Sequence, residues 1–311
     1  MNSTISFTIF LLYLFSLLSS ALPSGTYNKG DTRIATTDEI KELAFYSSLS
    51  ADVYCSSVIN NKKFDCPYCD KAKHLKVVDA FTTTTYDTNA LIARGDAEKT
   101  IYIVFRGSQS VRNWVADFTA VPVNYHNVPR AKVHLGFLQS YREVEKQLVA
   151  TVSRQLQAHP GYTVAVDGHS LGGSVALLCA LDLYEKGVKN IKLYTQGQPR
   201  VGNKAFAEYV TKTGIPYKRV VHENDPVPHF PNNNIVFEFY HAGEEFWDTH
   251  NLVVVCPNGL ESKYCSSSLI VGLNPLDHVF YFGMSTGVCI DSKKIIEGLP
   301  FSLVPTVTKF I

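Results

Sequence analysis

Residues 162–181 read YTVAVDGHSLGGSVALLCAL: an alternating, β-rich run, then Gly168-x-Ser170-x-Gly172, then a helical stretch that opens on small residues. A G-x-S-x-G match carries little weight alone. With a strand before it and a helix after it, the pattern describes a nucleophile elbow. A serine at so sharp a turn adopts strained backbone angles and lifts its Oγ above the sheet, which demands neighbours without bulky side chains. Gly168, Gly172 and Gly173 leave that space, and Ser174 and Ala176 let the helix lie close to the strand. The competing reading is an ordinary glycine-rich turn between a strand and a helix.

The elbow sits within a repeating pattern of elements. Thr36-x-x-Glu39 forms a capping box ahead of Ile40, Leu43, Ala44 and Ser47, spaced for one helix face, so a helix is expected over 36–54. Strand-like runs follow at 75–81, 89–94 and 100–107, then a helical pattern over 136–157, the strand 162–168 and the helix from Leu171. A strand at 191–197, a helix at 203–212 and a strand at 217–223 complete the alternation. Strands alternating with helices imply an α/β fold with a mostly parallel sheet covered on both faces. With 311 residues, 45% of them hydrophobic, the chain can bury an ordinary core, and no repeat or linker divides residues 22–311, which read as one domain. Lys plus Arg (29) balances Asp plus Glu (28) without a basic run, which argues against nucleic acid as a partner.

The first 21 residues carry an apolar run from Ile5 to Leu18 followed by Ser19, Ser20 and Ala21, the pattern of a secretory signal peptide cleaved near Ala21. The positive side chain usual before such a run is missing, and a membrane anchor is the alternative. The run is short of the ~20 residues that span a bilayer, and no later segment reaches that length, so no integral membrane segment is expected. No N-glycosylation acceptor occurs outside the signal, and no long pro-segment is apparent between Ala21 and Thr36. Seven cysteines in a secreted chain suggest three disulfides and one free thiol, with Cys179 the odd one in the apolar run SVALLCALDLY. The Cys66-Pro67-Tyr68-Cys69 segment could instead be a dithiol redox motif of the thioredoxin and glutaredoxin kind. Such a motif should follow a strand and open a helix, whereas NNKKFD precedes it here. No metal-ligand spacing of Cys and His appears, and neither metal nor cofactor is expected.

A serine hydroxyl near neutral pH needs a base, and the base needs an orienting carboxylate. In an elbow architecture the chain order is Ser, Asp or Glu, then His. The strand YKRVV runs into HENDPVPHFP, which puts Asp225 just past the strand's C-terminal end, on the elbow's edge of the sheet. Glu223 competes, but Pro226 and Pro228 after Asp225 mark a rigid loop. The base is then one of His229, His241, His250 and His278. His278, in a loop that enters the apolar and helix-like VFYFG, suits the chain order, but spacing leaves the other three open. His169, beside the serine, orients the elbow or lines the sheet.

At this point the chain resembles a known family, the secreted fungal triacylglycerol lipases or class 3 lipases, which have the α/β-hydrolase fold. The resembling segments are FRGSQSVRNWVAD, KVHLGFLQSY, GHSLGGSVA, GQPRVGN, NDPVPHFP, LDHVFYFG and TGVC, in one order from about residue 100 to 289. The resemblance implies Ser170 as nucleophile, Asp225 as orienting acid and His278 as base. It implies an oxyanion hole built from Ser108 and the Leu171 backbone N–H, the latter also expected from its place after the nucleophile. It further implies the disulfides Cys55–Cys289, Cys66–Cys69 and Cys256–Cys265, with Cys179 free.

Val111, Trp114, Val115 and Phe118 fall at i, i+3, i+4 and i+7, one apolar stripe opposite Arg112, Asn113 and Asp117. By itself the stripe suits a fixed surface helix. The resemblance implies a mobile lid, Val111, Arg112, Asn113, Trp114, Val115, Ala116 and Asp117, which closes over the serine in water and opens at an oil surface. The expected activity is hydrolysis of long-chain carboxylic esters at a lipid–water interface by an extracellular monomer. A soluble-substrate esterase on the same fold (feruloyl, monoacylglycerol or diacylglycerol) and a non-catalytic lipid-binding relative are the alternatives, and phospholipase specificity stays open. The resemblance ends near TGVC, leaving an extra tail over residues 290–311.

Overall fold

A computed structural model describes residues 32–108, 120–126, 128–231, 238–249, 251–256, 260–262, 264–269 and 273–289. The expected signal peptide, the lid from Val111 to Asp117, His250 and the tail over 290–311 lie outside the described residues. The first elements are β1 (Arg33–Ile34), α1 (Thr37–Asp52), the one-turn α2 (Ser56–Ile59), β2 (Lys76–Thr82), β3 (Asn89–Gly95) and β4 (Thr100–Phe105). Next come β5 (Pro122–Asn124), β6 (Lys132–His134), α3 (Leu135–Ala158), β7 (Thr163–His169), α4 (Leu171–Glu185), β8 (Ile191–Gln196), β9 (Gly202–Asn203), α5 (Lys204–Thr213) and β10 (Tyr217–His222). The chain closes with β11 (Phe239–Tyr240), β12 (Glu244–Asp248), β13 (Val253–Cys256) and the pair β14 (Phe280–Tyr281) and β15 (Met284–Ser285).

The main sheet has the order β1-β13-β12-β10-β8-β7-β4-β3-β2. Its middle is parallel from β4 to β12, whereas β2, β3, β13 and β1 run antiparallel at the two edges. Parallel strands buried on both faces read as continuous apolar runs. In β4, Ile101, Ile103 and Phe105 point into the core beneath α3 and α4, while Tyr102 and Val104 point into the core beneath α1. β7 divides in the same way, Val164 and Val166 to one core and Ala165 to the other.

α1 begins at a side-chain cap. The Thr36 hydroxyl accepts from Glu39 N–H at 3.2 Å, and the Glu39 carboxylate accepts from Thr36 N–H at 2.8 Å, a complete capping box. α1 is more buried than a single stripe implies: every residue from Tyr46 to Asp52 is buried. The physical reason is that its second half passes between the sheet and the disulfide-bonded segment that follows. The structure holds Cys55–Cys289, Cys66–Cys69 and Cys256–Cys265, with Cys179 free and buried in α4.

Two local expectations change. The segment after His278 is not helical: a single 3-10 turn, Asp277–Val279, leads into the β14–β15 hairpin. Gly283, at a φ of 76°, supplies the left-handed residue the tight hairpin turn needs, and that turn stops a helix. The alternation of strand and helix also breaks between the parallel neighbours β10 and β12. Among the described residues their connection carries a 3-10 turn, Val227–His229, and β11 in place of a covering helix.

Candidate active site

Ser170 stands between β7 and α4 at φ 59° and ψ −130°, a left-handed conformation that costs a non-glycine residue energy and persists only where packing enforces it. The packing is close enough to do so. A Cβ at Gly168 would lie 2.4 Å from the Gly172 carbonyl oxygen, and one at Gly172 would lie 2.3 Å from the Phe105 carbonyl oxygen. The elbow is thus pressed into the junction of β4, β7 and α4. Ser170 N–H donates to the Gln196 carbonyl at 2.8 Å, tying the turn to β8.

His278 Nε2 lies 2.8 Å from Ser170 Oγ, and its Nδ1 lies 2.8 Å from Asp225 Oδ2. A carboxylate can only accept, so Nδ1 carries the proton and Nε2 is free to accept from the serine. Ser170 is 1% exposed, and Asp225 and His278 are 0% exposed. Asp225 follows the end of β10 and accepts from Val227 N–H through Oδ1 at 2.8 Å, a bond that sets the carboxylate's plane. The carboxylate on His278 Nδ1 is that of Asp225, and the backbone carbonyl of Glu223, the competing residue, accepts from the Trp247 indole N–H at 2.9 Å. Among the other candidate bases, His241 is buried and its Nε2–H donates to the Pro228 carbonyl at 2.8 Å, while the His229 carbonyl accepts from Arg200.

Tyr281 and Tyr54, which help hold this chain in place, carry no sequence signature, and they act beside His169, expected from the sequence to orient the elbow or line the sheet. The Tyr281 hydroxyl donates to Asp225 Oδ2 at 2.6 Å, sharing that oxygen with His278. Burial and the Asp225 charge push the Tyr281 phenol well above its ordinary pKa, so it keeps its proton. His169 Nε2–H donates to the His278 backbone carbonyl at 2.8 Å, and its Nδ1 faces the Tyr54 hydroxyl at 2.9 Å. The carbonyl can only accept, which makes Nδ1 the acceptor of the Tyr54 proton. Burial holds the His169 imidazole well below its usual pKa, and it serves as a neutral bridge. The loop bearing His278 is pinned on its other side by Asp277, whose Oδ2 accepts from Asn224 N–H at 3.1 Å. Gly197, at a φ of 58°, packs so near the pair that a Cβ there would lie 2.9 Å from both Asp225 Oδ2 and His278 Nδ1.

Leu171 is the first residue of α4, so its N–H has no partner within the helix and sits beside the serine. Ser108 ends the described segment after β4. Its neighbour Gly107 fixes that loop against the elbow: a Cβ there would lie 2.7 Å from the His169 carbonyl oxygen and 3.0 Å from Ser170 Cβ. Tyr54 closes the same corner, its hydroxyl 2.4 Å from that Cβ position.

A parallel sheet carrying a strained serine elbow, with a buried histidine and aspartate delivered from loops beyond later strands, defines an α/β-hydrolase. The family profile described as lipase (class 3) matches residues 102–235. A lipase of Rhizomucor miehei is 56% identical over 267 residues, 84% of this chain and 73% of the relative. A secreted mono- and diacylglycerol lipase of Fusarium solani is 35% identical over 263 residues, 79% of this chain and 77% of the relative. A solved triacylglycerol lipase whose catalytic centre is a serine-protease triad superposes with a TM-score of 0.80 at 54% identity, covering 83% of this chain and all of that one. The chain belongs to the class 3 lipase family.

Proposed function

We propose that this protein is an extracellular triacylglycerol lipase that hydrolyses long-chain carboxylic esters at a lipid–water interface, acting as a monomer. The observation that carries this reading is the unbroken contact from Ser170 Oγ through His278 to Asp225, 2.8 Å at each step and sealed from water. His278 takes the Ser170 proton as Oγ attacks the ester carbonyl. Asp225 holds the imidazole in the required tautomer and stabilises the imidazolium that forms. The tetrahedral oxyanion is received by the Leu171 and Ser108 N–H groups, each worth about 3 kcal/mol in the transition state. His278 then protonates the departing alcohol, and water repeats the sequence on the acyl-enzyme.

The interfacial part of the proposal rests on the apolar stripe of Val111, Trp114, Val115 and Phe118 directly after the Ser108 loop. Burying such side chains stabilises a closed cover by about 1.5–3 kcal/mol each in water, and an oil surface removes that preference. The 54% identity to a solved triacylglycerol lipase, against 35% to a mono- and diacylglycerol lipase, favours triacylglycerol as the substrate class.

Hydrolysis rate is measured against the concentration of a medium-chain triglyceride taken through its solubility limit. The expected result is a jump at saturation, lost in Trp114→Ser, which should keep most of its activity on a dissolved short-chain ester. Smooth saturation would identify a soluble-substrate esterase. Hydrolysis undiminished in purified Ser170→Ala would refute the assignment of the nucleophile.

A further inference from the structure

The Cys66–Cys69 disulfide takes no part in ester hydrolysis, yet its surroundings differ from those of the other two. Cys66 is half-buried and Cys69 is fully buried. Asp52, the last residue of α1, is 0% exposed and places Oδ1 3.1 Å from Cys66 Sγ. Its Oδ2 is buried with no hydrogen-bond partner among the described residues. One side-chain atom from each of Asp52, Cys66 and Cys69 lies within 4.8 Å of the others. Because the two sulfurs are bonded to each other, the trio is no cation site in this state. What it offers is proton transfer between a carboxyl group and a sulfur.

Burial, the Asp70 charge and the negative end of α1 all disfavour a carboxylate at this position. The Asp52 carboxyl is pushed up to about 8, which leaves it mostly protonated near neutral pH. A disulfide sulfur has no proton, so the carboxyl O–H is the donor in the contact with Cys66. No strand precedes the loop and only a 3-10 turn, Cys69–Lys71, follows it, so the helix N-terminus that activates thiols in redox folds is missing. Among the described residues, Asp52 is the carboxyl group that lies with both sulfurs.

We propose that Cys66–Cys69 is a thiol–disulfide exchange site, with Asp52 as its proton donor and acceptor and a small-molecule thiol of the glutathione type as its substrate. The substrate thiolate attacks Cys66 Sγ, which belongs to the more exposed residue of the pair, forming a mixed disulfide as the Cys66–Cys69 bond breaks. The electron pair goes to Cys69 Sγ, where a buried thiolate is costly, and the Asp52 carboxyl, which lies within 4.8 Å of that sulfur, turns from Cys66 to give it the proton. A second substrate thiolate attacks the substrate sulfur of the mixed disulfide. It leaves as the oxidised substrate and releases Cys66 thiolate. The two protons that the substrate thiols gave to solvent return to Cys66 and Asp52. Two thiols are oxidised and one protein disulfide is reduced. In the reverse direction the Asp52 carboxylate takes the Cys69 proton, and the resulting thiolate closes the ring.

The other disulfides serve as internal controls. Both sulfurs of Cys256–Cys265 belong to buried residues, whereas Cys289 of the Cys55–Cys289 pair is exposed but has no such carboxyl cluster among the described residues. The full-length chain is incubated with reduced glutathione, alkylated at intervals, and each cysteine's labelling is followed by peptide mass spectrometry. Cys66 and Cys69 should label at least ~10-fold faster than either control pair, and Asp52→Asn should slow them by about 10- to 100-fold. Normalised to glutathione thiolate, the wild-type rate should fall as pH rises through about 8, where the donor ionises, and the Asn variant should show no such fall. Circular dichroism and unchanged Cys256 and Cys265 labelling verify that the variant is folded. Labelling of Cys66 and Cys69 no faster than that of Cys55 and Cys289, or a flat normalised wild-type profile, would overturn the proposal without recourse to any variant.

Discussion

Replacing Tyr281 by Phe separates what holds the catalytic carboxylate from what uses it. Asp225 accepts from three donors: Val227 N–H at 2.8 Å, His278 Nδ1–H at 2.8 Å and the Tyr281 hydroxyl at 2.6 Å. All of this is enclosed, with Tyr281 and Asp225 each 0% exposed. Deleting the hydroxyl removes one charge-assisted bond to a buried carboxylate, worth about 1.5–3 kcal/mol. It also takes away a weak acceptor, at 3.4 Å, from His222 N–H. The hydroxyl touches neither the serine nor the ester, so its bond persists from ground state to transition state. Such a loss falls on folding stability more than on the chemical step. The variant should unfold about 1.5–3 kcal/mol more easily in urea, a melting shift of roughly 3–10 °C. Its kcat/KM on a dissolved short-chain ester should drop less than ~10-fold, against ~10⁴ for Asp225→Asn. A loss of ~10³ or more in a folded variant, or unaltered stability, would refute this division of labour.

Gly197→Ala would put a Cβ 2.9 Å from Asp225 Oδ2 and His278 Nδ1 at a left-handed backbone position. Because displacements near 1 Å cost ~10² in rate, kcat/KM should fall at least ~100-fold, mostly in kcat, as steady-state kinetics on a soluble ester would show. Asp167, fully buried beside the Ser50 hydroxyl and the Gln196 amide, is pushed up to about 8 by burial. A raised carboxyl contributes stability that is complete below ~4 and is lost as pH climbs to about 8, at up to ~1.4 kcal/mol per pH unit. In urea denaturation, Asp167→Asn should therefore compare more favourably with wild type near pH 8 than near pH 5; a gap independent of pH would refute the neutral buried carboxyl.

The elbow was readable because its constraint is local: a serine in a left-handed turn needs Gly168 and Gly172, and those glycines stand beside it in the chain. Asp225 was readable from a strand end and two prolines. Spacing alone leaves His278 open against His229, His241 and His250, and only the resemblance singles it out. The structure separates them by placing His278 on Ser170 Oγ and turning His241 onto the Pro228 carbonyl. The helix expected after His278 failed because apolar content in a short run does not distinguish a hairpin from a helix.

By itself, then, the sequence determined whatever depends on period, caps and close neighbours: the alternating strands and helices, the α1 capping box, the nucleophile turn and the apolar stripe after Ser108. Only the tertiary structure decided which distant side chains share an atom. Tyr281 and His278 on one oxygen of Asp225, His169 bridging Tyr54 to the His278 carbonyl, and Asp52 against Cys66 are contacts between separate elements. Such contacts leave no local pattern, because each is made by strand order and helix packing that bring together residues far apart in the chain.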